Sequence, residues 1–294
     1  MMSWLRHKRD RLRLRGKLLR RQAGLEWDWQ VHGRRYRRHG EAASNTGVVV
    51  SLTSYPPRFG TLHLTLKSLL SQSLRAERIV LWIAHEDMDQ LPASVTDLTA
   101  AGLEIVACDN LRSYKKMIPL LQQHSAAGRQ VAVVTADDDI YYWRDWLREL
   151  VEARVPGKLE VICHRMHRIR LAADGALLPY NSWEFETTNT ESSPLNFPTG
   201  IGGVLYPPGV FGPEVLNVER FTALCPRGDD IWFWWMAGAN GATFRRVPRD
   251  NEIYCWEGSQ EVALWKDNLV GKYNDDQIAA MLGAYGLFQK SKRV

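Results

Sequence analysis

The amino-acid sequence predicts an α/β fold built around a mostly parallel sheet. Between residues 47 and 154, short runs rich in Val and Ile alternate with longer segments whose leucines recur at helix-face spacing. Strands that alternate with helices are joined by right-handed crossovers, which makes them parallel neighbours. A hydrophobic content of 45% is enough to cover both faces of such a sheet.

Each element follows from its own residues. "GVVVSLT" (47–53) reads as a buried strand, followed by a loop marked by Pro and Gly. "TLHLTLKSLLSQSL" (61–74) places Leu62, Leu66, Leu69 and Leu70 on one helix face. "RIVLWIA" (78–84) is the next strand, and "LPASVTDLTAAG" (91–102) a short helix stopped by Gly102. "LEIVACD" (103–109) is a strand and "SYKKMIPLLQQHS" (113–125) mostly helix, with a kink expected at Pro119. "QVAVVTA" (130–136) is a fourth strand, and "YWRDWLRELVEAR" (142–154) a helix. Beyond 155 the rhythm changes. "KLEVICHRMHRIRLAADGALLPY" (158–180) predicts strands around an Asp-Gly turn, a Pro/Gly-rich region follows at 194–213, and a helix closes the chain near 275–288.

Charge divides the chain. The first 40 residues hold 13 Lys and Arg against 3 Asp and Glu, a balance of +10, so the remainder carries −5 of the overall +5. Residues 1–46 therefore read as a basic N-terminal tail and 47–294 as a single domain. Within 1–22, Leu5, Leu12 and Leu19 share a face amid many cations. An amphipathic helix on an anionic membrane surface and a solvated basic terminus fit that segment equally well. Nucleic acid is not expected as a partner, because no recognition motif accompanies the charge. Four scattered cysteines without a CxxC pair fit neither a zinc site nor a disulfide scaffold. Together with apolar runs far shorter than the ~18–20 residues of a membrane span, they predict a cytoplasmic protein, at most peripheral on the inner face of the membrane.

The chemistry concentrates in "TADDDIYY" (135–142). Adjacent carboxylates repel, and parallel sheets bind ligands beyond the carboxyl ends of their strands, where this triplet falls. Two carboxylates spaced by one residue can share a divalent cation, and hard oxygen donors favour Mg2+ or Mn2+. No GxxxxGK[ST] occurs and no GxGxxG follows the first strand, which argues against a P-loop ATPase and a dinucleotide dehydrogenase.

"VVVSLTSYPPR" (48–58), "SYKKMIPLL" (113–121), "TADDDIYY", "GIGGVLYPPG" (200–209) and "RGDDIWF" (227–233) occur in this order. Together they resemble a bacterial glycosyltransferase of the GT-A fold, close to the family 2-like enzymes of surface-polysaccharide assembly. The resemblance implies a Rossmann-like sheet flanked by helices, with an acceptor-side second half that adds strands. It implies a nucleotide-sugar donor and a glycan or lipid-linked acceptor. It further implies Asp137 and Asp139 as metal ligands, Asp137 also near the ribose, and Asp138 as a flank without a task. Thr53, Tyr55, Arg58 and Lys115 would meet the donor, and Gly202 and Gly203 would let backbone approach its sugar. Asp230 would be the catalytic base of an inverting reaction and Asp229 its neighbour, with helix capping as the ordinary alternative for either acid. One of Trp232, Trp234 and Trp235 could stack on a sugar, although core packing is their usual use.

The late histidine that many inverting relatives supply to the metal is missing, since all eight histidines lie at or before His167. A carboxylate such as Glu257 is the alternative third ligand, and His164 and His167 read as structural or acceptor-side. Lys115 and Lys116 could both reach nucleotide or phosphate, although a lysine pair on a helix is ordinarily solvated, and the resemblance extends a substrate role to Lys272. Two competing functions remain open. A sugar-nucleotidyltransferase of related fold would need a glycine-rich loop that "SLTSYPPRFG" lacks. A non-enzymatic membrane-surface or nucleic-acid adaptor would act through residues 1–40.

Overall fold

A computed structural model of the chain describes residues 2–40, 46–248, 252–257 and 273–288, with the N-terminal side chains described at 13–34 and 36. Its centre is a seven-stranded sheet. The strands are β1 (Val48–Thr53), β2 (Arg78–Ala84), β3 (Leu103–Cys108), β4 (Ala132–Ala136), β6 (Glu160–Cys163), β9 (Val204–Tyr206) and β10 (Thr243–Arg246). Their order is β10-β6-β9-β4-β1-β2-β3, and only β9 runs against its neighbours. This is the mostly parallel, Rossmann-like α/β sheet that the alternation of strands and helices predicts. Because β9 is reversed, the loop that precedes it shares a rim with the carboxyl ends of β1, β4 and β6.

Strand periodicity divides the core in two. Val49 of β1, Val80 and Trp82 of β2 and Val133 of β4 face one layer. Val48, Val50, Leu52, Leu81, Ile83 and Val134 face the other. Helices α4 (Ile118–Ala126), α6 (Val218–Leu224), α7 (Asp229–Ala239) and α8 (Tyr273–Tyr285) cover the first layer; α2 (Phe59–Leu70), α3 (Ala93–Thr96) and α5 (Trp146–Glu152) cover the second. Burial on both faces explains why these strands read as continuous apolar runs rather than alternating ones.

The departures from expectation are local. The helix expected over 142–154 starts only at Trp146. The stretch before it is held elsewhere: β5 (Ile140–Tyr141) pairs with β11 (Tyr254–Cys255), and the Tyr142 amide donates to Ser68 Oγ at 3.2 Å. The helix expected over 113–125 is two pieces, a 3-10 turn Arg112–Lys116 and then α4, with Met117 between them at φ −130°. Pro119 lies in the first turn of α4, where its missing N–H costs nothing, so it begins the helix rather than kinking it. Around the Asp174-Gly175 turn, Leu171 bridges Leu177, and β7 (Met166–Arg168) pairs antiparallel with β8 (Asn196–Pro198).

The basic N-terminal segment is a helix, α1 (Met2–Gly40), packed on the α/β body. Leu25 is buried with Leu64 and Trp256, and Trp29 Nε1 donates to the Lys67 carbonyl at 3.1 Å. Glu26 pairs with Lys67 at 2.6 Å, Lys17 with Glu252 at 2.8 Å, and Arg21 lies over Tyr254. The face expected through Leu5, Leu12 and Leu19 is described only at Leu19, which is exposed. Among the described residues, no helix is long and apolar enough to cross a membrane.

Candidate functional site

A cavity of about 1080 Å³ opens at the rim where β1, β4 and β6 end and β9 begins. Its floor holds five carboxylates, Asp137, Asp138, Asp139, Asp229 and Asp230, and three cations, Arg58, Lys115 and Lys116. Asp87 and Glu186, and Arg112, Arg165 and Arg227, line the rest of the cavity, so with all groups ionised its seven carboxylates exceed its six cations by one charge.

The triplet follows β4 directly, and the β1–β4 pairing sets it beside the loop after β1. Asp138 is buried and turned into the protein. One of its oxygens accepts from Ser54 Oγ at 2.6 Å and the other meets Arg58 at 3.2 Å. Burial pushes its carboxyl up to about 7, against the pull of Arg58. Arg58 also pairs with Asp139 at 2.5 Å. Burial opposes the charge of Arg58, but Asp138 and Asp139 outweigh it and raise its pKa. Of Asp137, Asp138, Asp139 and Asp229, Asp137 keeps the most exposed side chain; its backbone N–H donates to Tyr142 Oη at 2.7 Å.

Lys115 and Lys116 are 3% and 6% exposed, so neither is a solvated surface lysine. The 3-10 turn that carries them is anchored by Tyr114, whose hydroxyl donates to the Cys225 carbonyl at 2.7 Å while its ring stacks on Phe221. Lys115 Nζ donates to the Ser54 carbonyl at 3.3 Å. Lys116 Nζ lies 2.9 Å from Asp229 and 3.4 Å from Asp137, which joins the two acidic groups. Burial disfavours its charge, yet Asp229, Asp137 and Asp230 together hold its pKa well above the ordinary value.

Asp229 and Asp230 open α7, and neither caps it: the N-cap residue is Gly228, with no side-chain cap. Asp230 Oδ2 instead accepts the Gly200 N–H at 2.8 Å. Burial, then Asp229, raises the Asp230 carboxyl, and Lys116 and that N–H only partly offset them. A Cβ on Gly200 would sit 3.0 Å from Asp230 Oδ1 and 3.1 Å from Lys116 Nζ, so any larger residue would press on both side-chain ends.

The remaining expected residues fall as follows. Thr53 lines the cavity, but its hydroxyl donates into the sheet, to the Trp82 carbonyl at 2.7 Å. Tyr55 is exposed at the mouth. Gly200 and Ile201 line the cavity, whereas Gly202 and Gly203 turn towards the core. At Gly203, φ +95°, a Cβ would fall 2.5 Å from the Trp146 ring, so its lack of a side chain serves packing beneath the cavity. Trp232, Trp234 and Trp235 are buried, and each indole N–H donates to a carbonyl, of Val215, Asn196 and Gly286 respectively. None of the three lines the cavity. Glu257 pairs with Arg15 at 3.1 Å and does not line it either. His164 is buried against Trp146, while His167 does line the cavity. Lys272 lies outside the described residues. Ser54, Lys116 and Gly200 carry most of the contacts that sequence reasoning underweighted. The order of "GIGG" held a signal for Gly200, but nothing local marked Ser54.

The donor set suits a hard divalent cation: carboxylate oxygens with a net negative surplus. Among the described residues, no group of three or more His, Cys, Asp or Glu is arranged to hold a metal by protein ligands alone.

Fold and cavity define an α/β protein with a mostly parallel sheet and an acidic, lysine-bridged cleft at the rim where β1, β4 and β6 end. No family model and no curated protein matches the chain. Among solved structures it is similar to Staphylococcus aureus TarS residues 1–349 in complex with UDP, at 15% identity and a TM-score of 0.46, covering 80% of this chain and 65% of that one. TarS 1–349 alone is similar at 15% identity and a TM-score of 0.43, covering 84% and 75%. A protein of Desulfovibrio desulfuricans G20 assigned as a nucleotide-diphospho-sugar transferase is similar at 13% identity and a TM-score of 0.41, covering 77% and 98%. At such scores the likeness is confined to the general course of the chain.

Proposed function

We propose that the protein is an inverting glycosyltransferase that moves a sugar from a nucleoside-diphosphate donor to a hydroxyl of a glycan or lipid-linked acceptor. One observation carries this reading. Two acidic groups with different surroundings share one cavity: Asp137 and Asp139 at a strand end, and Asp230 at a helix start, oriented by a backbone N–H.

The division of labour follows from those surroundings. Asp230, held by Gly200, takes the proton of the acceptor hydroxyl. The freed oxygen attacks the anomeric carbon from the face opposite the diphosphate, and the carbon–oxygen bond to the diphosphate breaks. Arg58, Lys115 and Lys116 set positive charge around the departing diphosphate. Asp137 and Asp139 would hold Mg2+ or Mn2+, which when bound supplies further charge stabilisation to the leaving group. Asp138, both of whose oxygens are engaged, keeps Arg58 and the β1 loop in place.

The outward face of α1 supports peripheral attachment to an anionic membrane. Leu19, Trp27 and Val31 are exposed there, with Trp27 69% accessible, beside the exposed Arg13, Arg20 and Arg34. Both acids of the described part of the helix, Glu26 and Asp28, are partnered within the protein, by Lys67 and His32. Salt-sensitive sedimentation with anionic vesicles, weakened by Trp27→Glu, is expected.

The test of the enzymatic reading is a screen of nucleotide sugars with Mn2+ for binding and slow hydrolysis. At least one donor should bind in a metal-dependent way, and Asp139→Ala should abolish that dependence. Pyrophosphate release from a nucleoside triphosphate and a sugar phosphate would replace this reading with a nucleotidyltransferase. Failure of every donor to bind would remove it.

A further inference from the structure

Beyond the acidic floor, the wall of the cavity formed by residues 165–199 has a different chemistry. Arg165, His167, Tyr180, Phe185, Glu186 and Phe197 line it. Tyr180 and Phe197 are buried, but Phe185 remains 40% exposed. It is held by aromatic neighbours, His167 at 4.4 Å and Tyr180 edge-on at 5.4 Å. Exposing a phenyl ring to water forfeits burial energy, and the neighbouring core is already filled by Tyr180, Trp183 and Phe197.

The residue after Phe185 is strained. Glu186 has φ +51°; Arg112, at φ +53°, is the other non-glycine with positive φ among the described residues, and it too lines the cavity. Such conformations cost energy and persist where the surroundings impose them. Here the Glu186 N–H donates to His167 Nδ1 at 2.9 Å, and Glu184 exchanges two backbone hydrogen bonds with Arg168, at 2.8 and 3.0 Å. Glu186 Oε1 accepts from Arg165 at 2.8 Å, and Arg165 in turn donates to Thr199 at 2.9 Å. The Glu186 side chain nonetheless stays 66% exposed. The result is an aromatic ring beside a positioned carboxylate–guanidinium pair, all at the cavity surface.

We propose that this wall is an acceptor subsite for a pyranose ring, with Phe185 as the stacking platform and Glu186 and Arg165 as partners for ring hydroxyls. A pyranose presents axial C–H bonds on one face, which match the negative face of an aromatic ring. Its adjacent equatorial hydroxyls match the paired oxygens of a carboxylate or the fork of a guanidinium. Position assigns the subsite to the acceptor. The loop before β9, with Gly200 and Asp230, separates it from Thr53, Arg58 and Lys115 at the ends of β1 and β3. This inference rests on the transferase reading for its acceptor label, and not for sugar binding itself.

The test is saturation-transfer NMR with methyl glycosides of glucose, galactose, mannose and N-acetylglucosamine, on the wild-type chain, Phe185→Ala and Phe185→Trp. Ring-proton signals are expected from at least one glycoside, weakened about tenfold in affinity by Phe185→Ala and retained in Phe185→Trp. Silence across the panel, or signals unchanged in a folded Phe185→Ala, overturns the proposal. Dodecyl glycosides separate two sources of the ring: a gain over the methyl form points to a lipid-linked acceptor, and equal binding to a soluble glycan. Nucleotide-sugar hydrolysis by water, which needs the donor site and no sugar acceptor, is measured on the same variants. If it falls in parallel, the ring serves the donor, and the acceptor subsite is wrong while the transferase stands. If no nucleotide sugar binds but Phe185-dependent glycoside signals persist, the transferase reading falls and the sugar site stands.

Discussion

Asp138 and Asp230 are aspartates of the same cavity and desolvation raises both carboxyls, but Asp138 is buried and Asp230 only half-buried, and under the proposed function their partners give them different work. Asp138 spends one oxygen on the Ser54 hydroxyl and the other on Arg58. Asp230 has a backbone N–H on Oδ2, while Lys116 is paired with Asp229 and Asp137. Burial alone therefore does not mark a base. What matters is whether the oxygens are already committed.

The largest effect expected from this contrast belongs to Asp230→Asn. It should lower transfer by about 10²–10⁴-fold while donor binding and thermal stability change little, as read by single-turnover kinetics and calorimetry. Wild-type turnover would end the assignment. The rate should also rise with pH along a limb displaced above the usual carboxylate range, because burial and Asp229 hold the Asp230 proton.

Lys116→Met tests the bridge between the two groups. It leaves Asp137 and Asp229 without their shared cation, and about 3–5 kcal/mol of stability should be lost. Denaturant midpoints measure this, and an unchanged midpoint would mean that the acids are already neutral or rehydrated. Asp138→Asn should act more mildly, costing about 1–3 kcal/mol. Its activity defect should track the loosened Arg58 rather than the chemistry. A loss of transfer equal to that of Asp230→Asn would erase the distinction.

A pH-dependent effect concerns the aromatic wall. Burial first, then Arg165, lowers the His167 pKa from the ordinary 6.5 to about 4. The unfolded chain therefore takes up this proton at a higher pH than the folded one. The contribution is intact above pH 6.5 and is lost as the pH falls towards 4. His167→Gln should flatten that part of the stability–pH curve.

Sheet and cavity were not equally legible in the sequence. β2 matches its expected run, 78–84, because a strand buried on both faces is written as an unbroken apolar segment. The triplet was legible as a strand-end acid cluster, but the role of Asp138 was not. Its partners Ser54 and Arg58 lie some eighty positions away. The lysine pair misled for the same reason. A helix would present it to water, but the 3-10 turn and the break at Met117 turn both side chains inward, towards Ser54, Asp137 and Asp229. Charge counting likewise separated residues 1–46 from the rest, and could not register that Leu25 of α1 meets Trp256 from the far end of the chain.

That last contact bears on how the protein can be handled. Trp256 Nε1 donates to Thr65 Oγ1 at 2.9 Å, and the same hydroxyl lies 2.9 Å from the Asp138 carbonyl and 3.0 Å from that of Ile140. Trimming away the basic helix would strip the cover from Trp256 and Leu64, two contacts from the acidic floor. Shortened versions made to improve solubility would then report on a disturbed cleft, and surface substitutions that leave Leu25 and Trp29 in place are the cleaner tool.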